Sequence, residues 1–468
     1  MFWKKRNEIA PEIQWGDFYR HVIALIIPIA LQNLVNVGIA AADVFMLGRV
    51  GESVLAGAAM ANQIQFIMVL CLFGLSSGLT IMSAQYWGKG DKRTIEKILA
   101  MGTKVAIGVT LVFSMAAIGI PERLLRIFTN EPEVIAQGVI YLRIVAISYV
   151  MIGFTQTYLF VMRSVERVKI ATLVYTCSLF INVSLNFILI FGVGEIIPAM
   201  GITGAAIGTV ITRGIEIIFV LVYAKVFNTD IKLRLRNFLK GDAILRKDFI
   251  HYAIPVVINE IIWGTAISVN AAILGRMGTA AIAANSVVQV SRQLTMVVAF
   301  GLTSATAIYL GKTIGENRLV EAKAYARRFM QLSLMMGGIA ATILLIASPH
   351  IIASQALSAQ AERYLRFMFF VMAYYVITQG FNATVIVGVL RAGGDTKFGL
   401  FADLFSMWFF TIPLGLLAAF VFQFSVPIVY IVLMSDELAK FPASVIRYRS
   451  GKWLKNVTRE MNEVTEIE

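Results

Sequence analysis

The sequence predicts an all-α polytopic membrane protein with twelve transmembrane helices in two pseudo-symmetric six-helix lobes. Of its 468 residues, 58% are hydrophobic and only 15% are charged, and the mean hydropathy is +0.77. A soluble protein of this length could not bury that much apolar surface, whereas a membrane protein exposes it to lipid. Twelve apolar segments are long enough to cross a bilayer, and an internal duplication divides them into two halves.

The duplication is visible in one residue pattern that the chain contains twice. Residues 28–51 read PIALQNLVNVGIAAADVFMLGRVG, and residues 255–278 read PVVINEIIWGTAISVNAAILGRMG. Each copy begins with proline and ends with Gly-Arg-x-Gly at the same spacing. The same offset relates two further pairs of glycines, Gly74 with Gly301 and Gly88 with Gly315. Repeats that run in the same direction predict two halves related by an axis along the membrane normal.

The predicted spans follow one another along the chain and are separated by polar connections. Residues 1–22 precede them and carry Lys4, Lys5, Arg6 and Arg20, which predicts a short amphipathic lead-in along the membrane surface. The first apolar run has no small-residue cleavage site, so we interpret it as a retained span and not as a signal peptide. The spans lie near 23–47, 54–84, 100–119, 138–162, 170–192, 201–226, 251–274, 281–310, 327–348, 364–390, 398–420 and 425–446.

The basic residues predict the topology. A net charge of +13 would suggest a nucleic-acid partner in a soluble chain, but here the charges lie between apolar runs, so we expect none. Lys and Arg are concentrated in alternate connections, which places both termini in the cytoplasm of a cell-membrane protein. The predicted units are an N-terminal lobe (1–226), a basic cytoplasmic linker (227–250), a C-terminal lobe (251–446) and a cytoplasmic tail (447–468).

Two of the basic connections resemble each other. Residues 163–169 read RSVERVK after the fourth span, and residues 391–397 read RAGGDTK after the tenth. These connections form either a cytoplasmic hinge or gate, or a tight turn whose Arg and Lys residues face the cytoplasm. In both interpretations Arg391 lies outside the membrane. Cys71 and Cys177 fall inside apolar runs, so no disulfide framework is expected.

Several short motifs together resemble the MATE (multidrug and toxic compound extrusion) transporters along nearly the whole chain. They are Asp43-x-x-x-x-Gly48-Arg-x-Gly51, its echo at Gly275-Arg-x-Gly278, Asn182-x-x-x-Asn186, Gly204-Ala-Ala-x-x-Thr209, Arg391-Ala-Gly-Gly-Asp-Thr-Lys397 and Arg449-Ser-Gly-Lys-Trp453. The resemblance implies two lobes around a central cavity. It also implies export of organic cations or related drugs, coupled to inward flow of Na⁺ or H⁺. We expect a monomer in the lipid bilayer, aromatic cationic substrates, and no cofactor beyond the coupling ion.

Asp43 is the first candidate for coupling. A carboxylate inside a span costs about 2.5–3.5 kcal/mol on insertion scales, so it is expected to face a partner or a cavity. Asp43 shares a helical stripe with Gln32 and Asn36. The resemblance places an ion site here, at which Asn182, Asn186 and Thr209 accompany Asp43 and bind H⁺ or Na⁺. A static hydrogen bond from Asp43 to Asn186 or Thr209 is the structural alternative.

Glu260 is the second candidate, and it aligns with Asn33 in the repeat, whereas Asp43 aligns with Asn270. The two halves therefore share a scaffold but not a charge pattern. We expect a substrate site or a second coupling site at Glu260, with neutral neighbours. Asn36, Asn259, Gln379 and Asn382 complete this predicted set. Two further charged groups are interpreted as local ion pairs: Arg213 with Glu216, and Lys440 with Asp436 and Glu437.

Three other classes of protein are alternatives to a drug exporter: a flippase, an enzyme and an ATPase. A lipid or lipid-linked sugar flippase of the same broad superfamily tends to need a cationic cavity, and Arg213 is the one basic residue expected among the acidic intramembrane charges. An enzyme is not expected, because the sequence has no His-rich or paired-carboxylate cluster. The Gly311-Lys312-Thr313 segment resembles the end of a P-loop, but Thr306 stands where the leading glycine is required, which argues against an ATPase.

Overall fold

The first half of the chain forms six long helices. The computed structural model describes residues 14–194, 196–239, 241–355 and 357–460. The predicted lead-in at 1–13 and the end of the tail at 461–468 lie outside the described residues. Residues 15–22, predicted as part of the lead-in, already belong to the first helix. The helices are α1 (Trp15–Gly48), α2 (Glu52–Lys89), α3 (Lys92–Gly119), α4 (Pro132–Ser164), α5 (Val168–Phe191) and α6 (Gly201–Phe227).

The second half repeats this order with a different last element. Its first helix begins within the predicted linker, because the Asp242 side chain accepts hydrogen bonds from the N–H groups of Ile244 and Leu245 and caps the helix. The helices are α7 (Ala243–Arg276), α8 (Thr279–Gly315), α9 (Leu319–Ala353), α10 (Ala359–Leu390), α11 (Thr396–Val421), α12 (Val426–Leu433) and α13 (Asp436–Arg449).

The twelfth predicted span, 425–446, is broken in two where Asp436 and Glu437 interrupt its apolar run. Within the described residues, eleven helices are long and apolar enough to cross a membrane, and α12 followed by α13 supplies the twelfth passage. The break has a physical reason. Starting a new helix at Asp436 places two carboxylates, Asp436 and Glu437, in a first turn where backbone N–H groups are free, and such a position favours negative charge.

The repeated glycines are explained by close contacts between the halves. A Cβ atom on Gly74 of α2 would lie 2.6 Å from the Cα of Val257 on α7, and a Cβ on Gly301 of α8 would lie 3.4 Å from Ala30 on α1. Val257 and Ala30 are themselves related by the repeat offset. The first helix of each half therefore packs on the second helix of the other half, in two matching contacts.

A second pair of matching contacts closes one side of the protein, the side where the inter-lobe connection and residues 450–460 lie, which we call the linker side. A Cβ on Gly88 would lie 2.0 Å from the carbonyl oxygen of Lys312, and one on Gly315 would lie 1.9 Å from that of Gln85. Only glycine permits this approach of α2 and α8. Both helices are almost fully buried along their linker-side halves.

The halves separate towards the opposite side, which we call the far side. Along α2, residues Gly74 to Tyr86 are mostly buried, whereas Asn62, Gln63 and Phe66 nearer the far side are exposed. On α1, Gln32 is buried and Asn36, one turn further along the same face, is exposed. A face that is buried at one end and exposed at the other indicates lobes that are packed on the linker side and splayed on the far side.

The segment after α13 reinforces the closed linker side. Trp453 is buried, and its carbonyl oxygen would lie 1.7 Å from a Cβ on Gly393. The Gln85 side chain donates to the Lys455 carbonyl oxygen at 3.2 Å and accepts from the Val457 N–H at 2.7 Å. This segment therefore runs from the second half onto α2 of the first half.

Candidate functional site

Asp43 lies on α1 and is held by an asparagine pair on α5. The Asn186 amide nitrogen donates to the Asp43 Oδ1 atom at 2.7 Å and to the Asn182 Oδ1 atom at 3.3 Å. Both asparagines are buried, whereas Asp43 is partly exposed. They face the same way because four residues bring side chains one above the other on a helix. The structure thus brings three of the four predicted coupling residues into contact.

The Asn186 side chain has an unused acceptor. Its Oδ1 atom is buried without a hydrogen-bond partner and points at Gly208, where a Cβ atom would lie 2.2 Å away. Rotation of the amide by half a turn would aim this oxygen at Asp43 and remove the donor that now faces the carboxylate. The present orientation suits an ionised, unliganded Asp43. The rotated one suits a protonated Asp43 or a cation held between oxygen atoms.

Thr209, the fourth predicted coupling residue, is not hydrogen-bonded to Asp43. Its hydroxyl donates to the Ala205 carbonyl oxygen at 3.0 Å and lies beside the phenol of Tyr141 on α4, which is near enough to Asp43 to interact with its charge. Nearby on α6, Arg213 donates to the Glu216 carboxylate at 2.7 Å, which confirms the predicted ion pair. Tyr141 was not predicted, because a tyrosine in an apolar span carries no sequence signal of its position.

The stripe predicted for α1 divides between two environments. Gln32 donates to the Thr172 hydroxyl at 2.8 Å and is fully buried, so it fixes α1 against α5. Asn36 is exposed. Asn36 is therefore accessible from outside the protein, whereas Gln32 is structural.

Glu260 on α7 forms an ion pair that the sequence did not predict. Arg391 donates to the Glu260 carboxylate at 3.0 Å and to the Ser77 hydroxyl of α2 at 3.3 Å. Arg391 is only 2% exposed, so its placement in a solvated cytoplasmic connection is wrong. It extends α10 beyond Leu390 and points back into the protein, because a buried carboxylate needs a cationic partner. Through its hydrogen bond to Ser77, Arg391 also links the second half to the first.

Two of the other predicted second-site residues belong to a charged cluster next to Glu260. Asn259 donates to Asp403 at 2.9 Å, and Asn382 donates to Glu437 at 2.8 Å. Lys440 joins these two carboxylates, with its ammonium 2.9 Å from Asp403 and 2.8 Å from Glu437. The predicted pairing of Lys440 with Asp436 and Glu437 is confirmed, with Asp436 at 3.3 Å. We call Asp403, Asp436, Glu437 and Lys440 the lysine cluster.

Gln379, the remaining second-site residue, accepts a hydrogen bond from Arg292 at 3.0 Å. Arg292 lies on α8, is buried, and also donates to Gln289 at 2.8 Å. The expectation that Arg213 is the one basic residue among the intramembrane charges is therefore wrong. Arg292, Arg391 and Lys440 are also buried within the second half.

Asp403 is the functional candidate that sequence reasoning could have found. It is the one carboxylate in the apolar run 398–420, and the cost of charge inside a membrane marks such a residue for attention. Its partners lie on α7 and α13, far away in sequence. The sequence alone showed the lone acid, whereas only the fold showed which residues form a cluster with it.

The connection 165–167 forms a polar contact with the second half on the linker side. Lys312 of α8 and His21 of α1 both lie 2.7 Å from the Glu166 carboxylate. Burial alone would raise the pKa of Glu166, but the hydrogen bonds from His21 and Lys312 outweigh it and lower the pKa to about 2. The contact between Glu166 and Lys312 joins this connection to the second half, which supports its interpretation as a hinge or gate.

This lowered pKa predicts a linker side that is insensitive to pH in the neutral range. A carboxyl whose folded-state pKa lies below its ordinary 4.5 contributes stability above that value and loses it as pH falls towards about 2. We expect spin labels at the exposed Lys169 and Val320 to keep one narrow distance distribution between about pH 8 and pH 5. Glu166→Gln should broaden it. Broadening of the wild-type distribution over this range would contradict the prediction.

Two repeated lobes, packed on one side and splayed on the other, with carboxylates held inside their spans, define a polytopic membrane transporter. The MatE family model matches residues 28–188 and 255–417, more than half of the chain, so the chain belongs to the MatE family. The two matches begin at Pro28 and Pro255, which are the first residues of the duplicated pattern. The resemblance to MATE transporters and the all-helical twelve-span fold are confirmed.

Relatives and solved structures agree with this assignment over most of the chain. A protein of Agrobacterium fabrum named "probable multidrug resistance protein NorM" is 25% identical over 426 residues, which are 88% of each chain. One of the same name from Thermotoga maritima is 22% identical and is covered to 97%. A MATE transporter solved in an outward-facing conformation shares the fold with a TM-score of 0.82, at 16% identity, over 92% of this chain and 96% of its own.

Proposed function

We propose that this chain is a secondary active antiporter of the cell membrane that exports organic cations and related drugs in exchange for Na⁺ or H⁺. The observation that carries the proposal is Asp43, a partly exposed carboxylate inside a span, held by a buried asparagine pair. The multidrug names of the relatives support the cargo class. In this proposal both termini and the linker lie in the cytoplasm, as the distribution of Lys and Arg predicts, so the splayed far side faces outward.

The exchange follows from the Asp43 geometry. A Na⁺ or H⁺ that enters from the far side neutralises the carboxylate and favours the rotated Asn186 amide, whose oxygen then faces Asp43. Because Gly208 has no side chain, the Asn186 amide has space to rotate. Neutralisation removes the negative charge that attracts a cationic drug, so the drug leaves outward. The lobes then rock about their linker-side contacts, and the ion is released to the cytoplasm.

The two possible coupling ions make different demands on the same atoms. A proton needs only the carboxylate and one acceptor, which Asn186 Oδ1 supplies. A sodium ion needs several oxygens, and Asp43 is here the one carboxylate beside Asn182, Asn186 and Thr209. In the described residues no group of three or more His, Cys, Asp or Glu side chains is arranged to hold a metal ion. This donor set favours the proton.

The test is efflux of ethidium from proteoliposomes that contain the purified protein, with the proton and sodium gradients imposed separately. We expect efflux to be driven by the proton gradient and to persist when the interior and exterior sodium concentrations are equal. Efflux driven by the sodium gradient alone would keep the antiport proposal and change the ion. Efflux that is the same with and without any ion gradient would overturn the antiport proposal.

A lipid or lipid-linked sugar flippase is the second candidate, and Arg292 favours it. Arg391 and Lys440 are paired with carboxylates, whereas the hydrogen-bond partners found for Arg292 in the described part of the chain are the amide oxygens of Gln289 and Gln379. An arginine without a carboxylate partner is a suitable contact for a phosphate group. Translocation of a fluorescent lipid in the same vesicles, lost in Arg292→Gln and independent of ion gradients, would support this function.

A further inference from the structure

The buried charges of the second half do not balance. Within its membrane-spanning helices, the buried carboxylates are Glu260, Asp403, Asp436 and Glu437, apart from Asp248 near the start of α7, which is paired with Arg459, and the buried cations are Arg292, Arg391 and Lys440. Glu260 and Arg391 neutralise each other, so the remaining negative charge belongs to the lysine cluster, in which one ammonium faces three carboxylates. An uncompensated charge in a dry membrane interior is costly and is usually removed by binding a proton or an ion.

Hydrogen bonds distinguish the three carboxylates of the lysine cluster. Asp403 accepts from Asn259 and from Lys440, and Glu437 accepts from Asn382 and from Lys440. Asp436 is 1% exposed, its Oδ2 atom has no hydrogen-bond partner, and its contact with Lys440 is the longest of the three. The ionised form of Asp436 is therefore the least stabilised of the three acids.

Unused acceptors surround the same cluster. Asn259 and Asn382 are 4% and 2% exposed, and each donates its amide nitrogen to a cluster carboxylate while its Oδ1 atom has no partner. These two oxygens have no donor in the described chain, and Asp436 Oδ2 is met by the Lys440 ammonium at 3.3 Å. A single added hydrogen supplies a donor and lowers the net charge of the cluster from −2 to −1, which the positive charge of the buried Arg292 offsets in the sum. We propose that the lysine cluster is a proton-binding site in which Asp436 carries the bound proton.

A proton fits this cluster better than a metal ion. In the described chain no group of three or more His, Cys, Asp or Glu side chains is arranged as metal ligands. The Lys440 ammonium already occupies the position between Asp403 and Glu437 that a cation would take. The Asn259 and Asn382 side chains also direct their N–H groups, not their oxygens, at the carboxylates. These donors repel a cation.

The groups that face Asp436 set the affinity of the site for the proton. On its own helix these are Lys440 and Glu437, on α11 Asp403, and on α10 the phenols of Tyr374 and Tyr375. The amino end of α13 favours negative charge, but it acts on Asp436 and Glu437 alike. The site is also next to two π-helical segments, residues 384–390 and 404–411, a local geometry that is frequent at functional sites.

Proton binding at the lysine cluster involves only residues of the second lobe. It does not depend on the proposed coupling role of Asp43. Asp403 acts electrostatically on Glu260, and Glu260 is bound to Arg391, which also contacts Ser77 of the first lobe. Loss of the Asp436 proton would add negative charge beside this contact between the lobes. The cluster is thus connected to the interface that must change in a transport cycle.

The test is infrared difference spectroscopy of the purified, full-length protein in lipid at neutral pH. Subtracting the spectrum of Asp436→Asn from that of the wild type should reveal one protonated carboxylic acid, seen as a C=O stretching band that shifts in deuterium oxide. The matched controls Asp403→Asn and Glu437→Gln should remove carboxylate bands instead. The Asp43→Asn variant separates any contribution from the first lobe.

Two results would overturn the proposal. One is a difference spectrum in which Asp436→Asn removes a carboxylate band and leaves the protonated band unchanged. The other is sodium binding, measured by isothermal titration at fixed pH, that is lost in Asp436→Asn, because it would make the cluster a sodium site. If Asp436→Asn does not assemble, Asp436→Glu keeps an acid at this position, and the protonated band should then lose the isotope shift that ¹³C-aspartate labelling produces in the wild type. Neither the infrared spectrum nor the sodium titration depends on efflux activity. The proton-binding site can therefore be tested even if the antiport proposal fails.

Discussion

Asp43→Asn is expected to reduce gradient-driven ethidium efflux to the level of protein-free vesicles. Asparagine keeps the size of the side chain and a hydrogen bond to Asn186, but it can neither release a proton nor attract a cation by charge. The variant should therefore remain in the state that the bound ion normally produces. Exchange of labelled ethidium at equal ion concentrations should fall as well, because the neutral side chain no longer attracts the cationic drug. Both rates can be measured in the same proteoliposomes.

The matched control for Asp43→Asn is Glu122→Gln, which neutralises an exposed acid with 61% side-chain accessibility outside the spans. This control should keep the wild-type efflux rate. Efflux that survives Asp43→Asn and is lost in Glu260→Gln would move coupling to the second half. A low yield of monodisperse Asp43→Asn protein would show that the substitution damages the fold, in which case Asp43→Glu becomes the informative variant.

Lys440→Met is expected to lower the free energy of unfolding by about 3–5 kcal/mol, the usual penalty for removing one partner of a buried ion pair. Lys440 is 3% exposed and contacts three carboxylates, so methionine would leave them without a cation. Methionine fills a similar volume, so lost packing contributes little. The measurement is the thermal unfolding midpoint of the detergent-purified protein, together with the yield of monodisperse protein.

The control for Lys440→Met is a charge-matched double variant. Lys440→Met with Glu437→Gln removes one positive and one negative charge, and the glutamine can still pair with Asn382. We expect it to regain a large part of the lost stability. A single variant as stable as the wild type would show that the cluster is hydrated and that the buried contacts of Lys440 carry little energy.

The duplication and the first-half site were largely predictable from sequence. Pro28 and Pro255 begin the two matching segments, and Gly88 and Gly315 lie at close contacts of α2 with α8 on the linker side. Asp43 stood out because a lone acid in an apolar segment is rare. Its contact with Asn186 followed from the family resemblance and not from spacing, since α1 and α5 are separated by more than one hundred residues.

The second-half charges show what sequence reasoning could not reach. Arg391 follows the apolar run 364–390 and begins a short polar segment that also carries Lys397. Such a segment is typical of a cytoplasmic connection, and only the fold shows that Arg391 points back towards Glu260. Lys440 could be paired with Asp436 by helical spacing, but Asp403 reaches it from another helix. The interruption of the twelfth span was visible in the sequence, because Asp436 and Glu437 stand inside its apolar run, whereas the start of a new helix at Asp436 was not.

The measurement that tests the central claim most directly is ion movement evoked by substrate. Proteoliposomes with a pH-sensitive dye inside and no imposed ion gradient are given ethidium on one side only. The account predicts that ethidium entry drives protons out of the vesicles, and that Asp43→Asn abolishes this flux. A sodium-sensitive dye in parallel vesicles identifies sodium if that is the exchanged ion. Ethidium transport with no flux of either ion would contradict ion-coupled antiport.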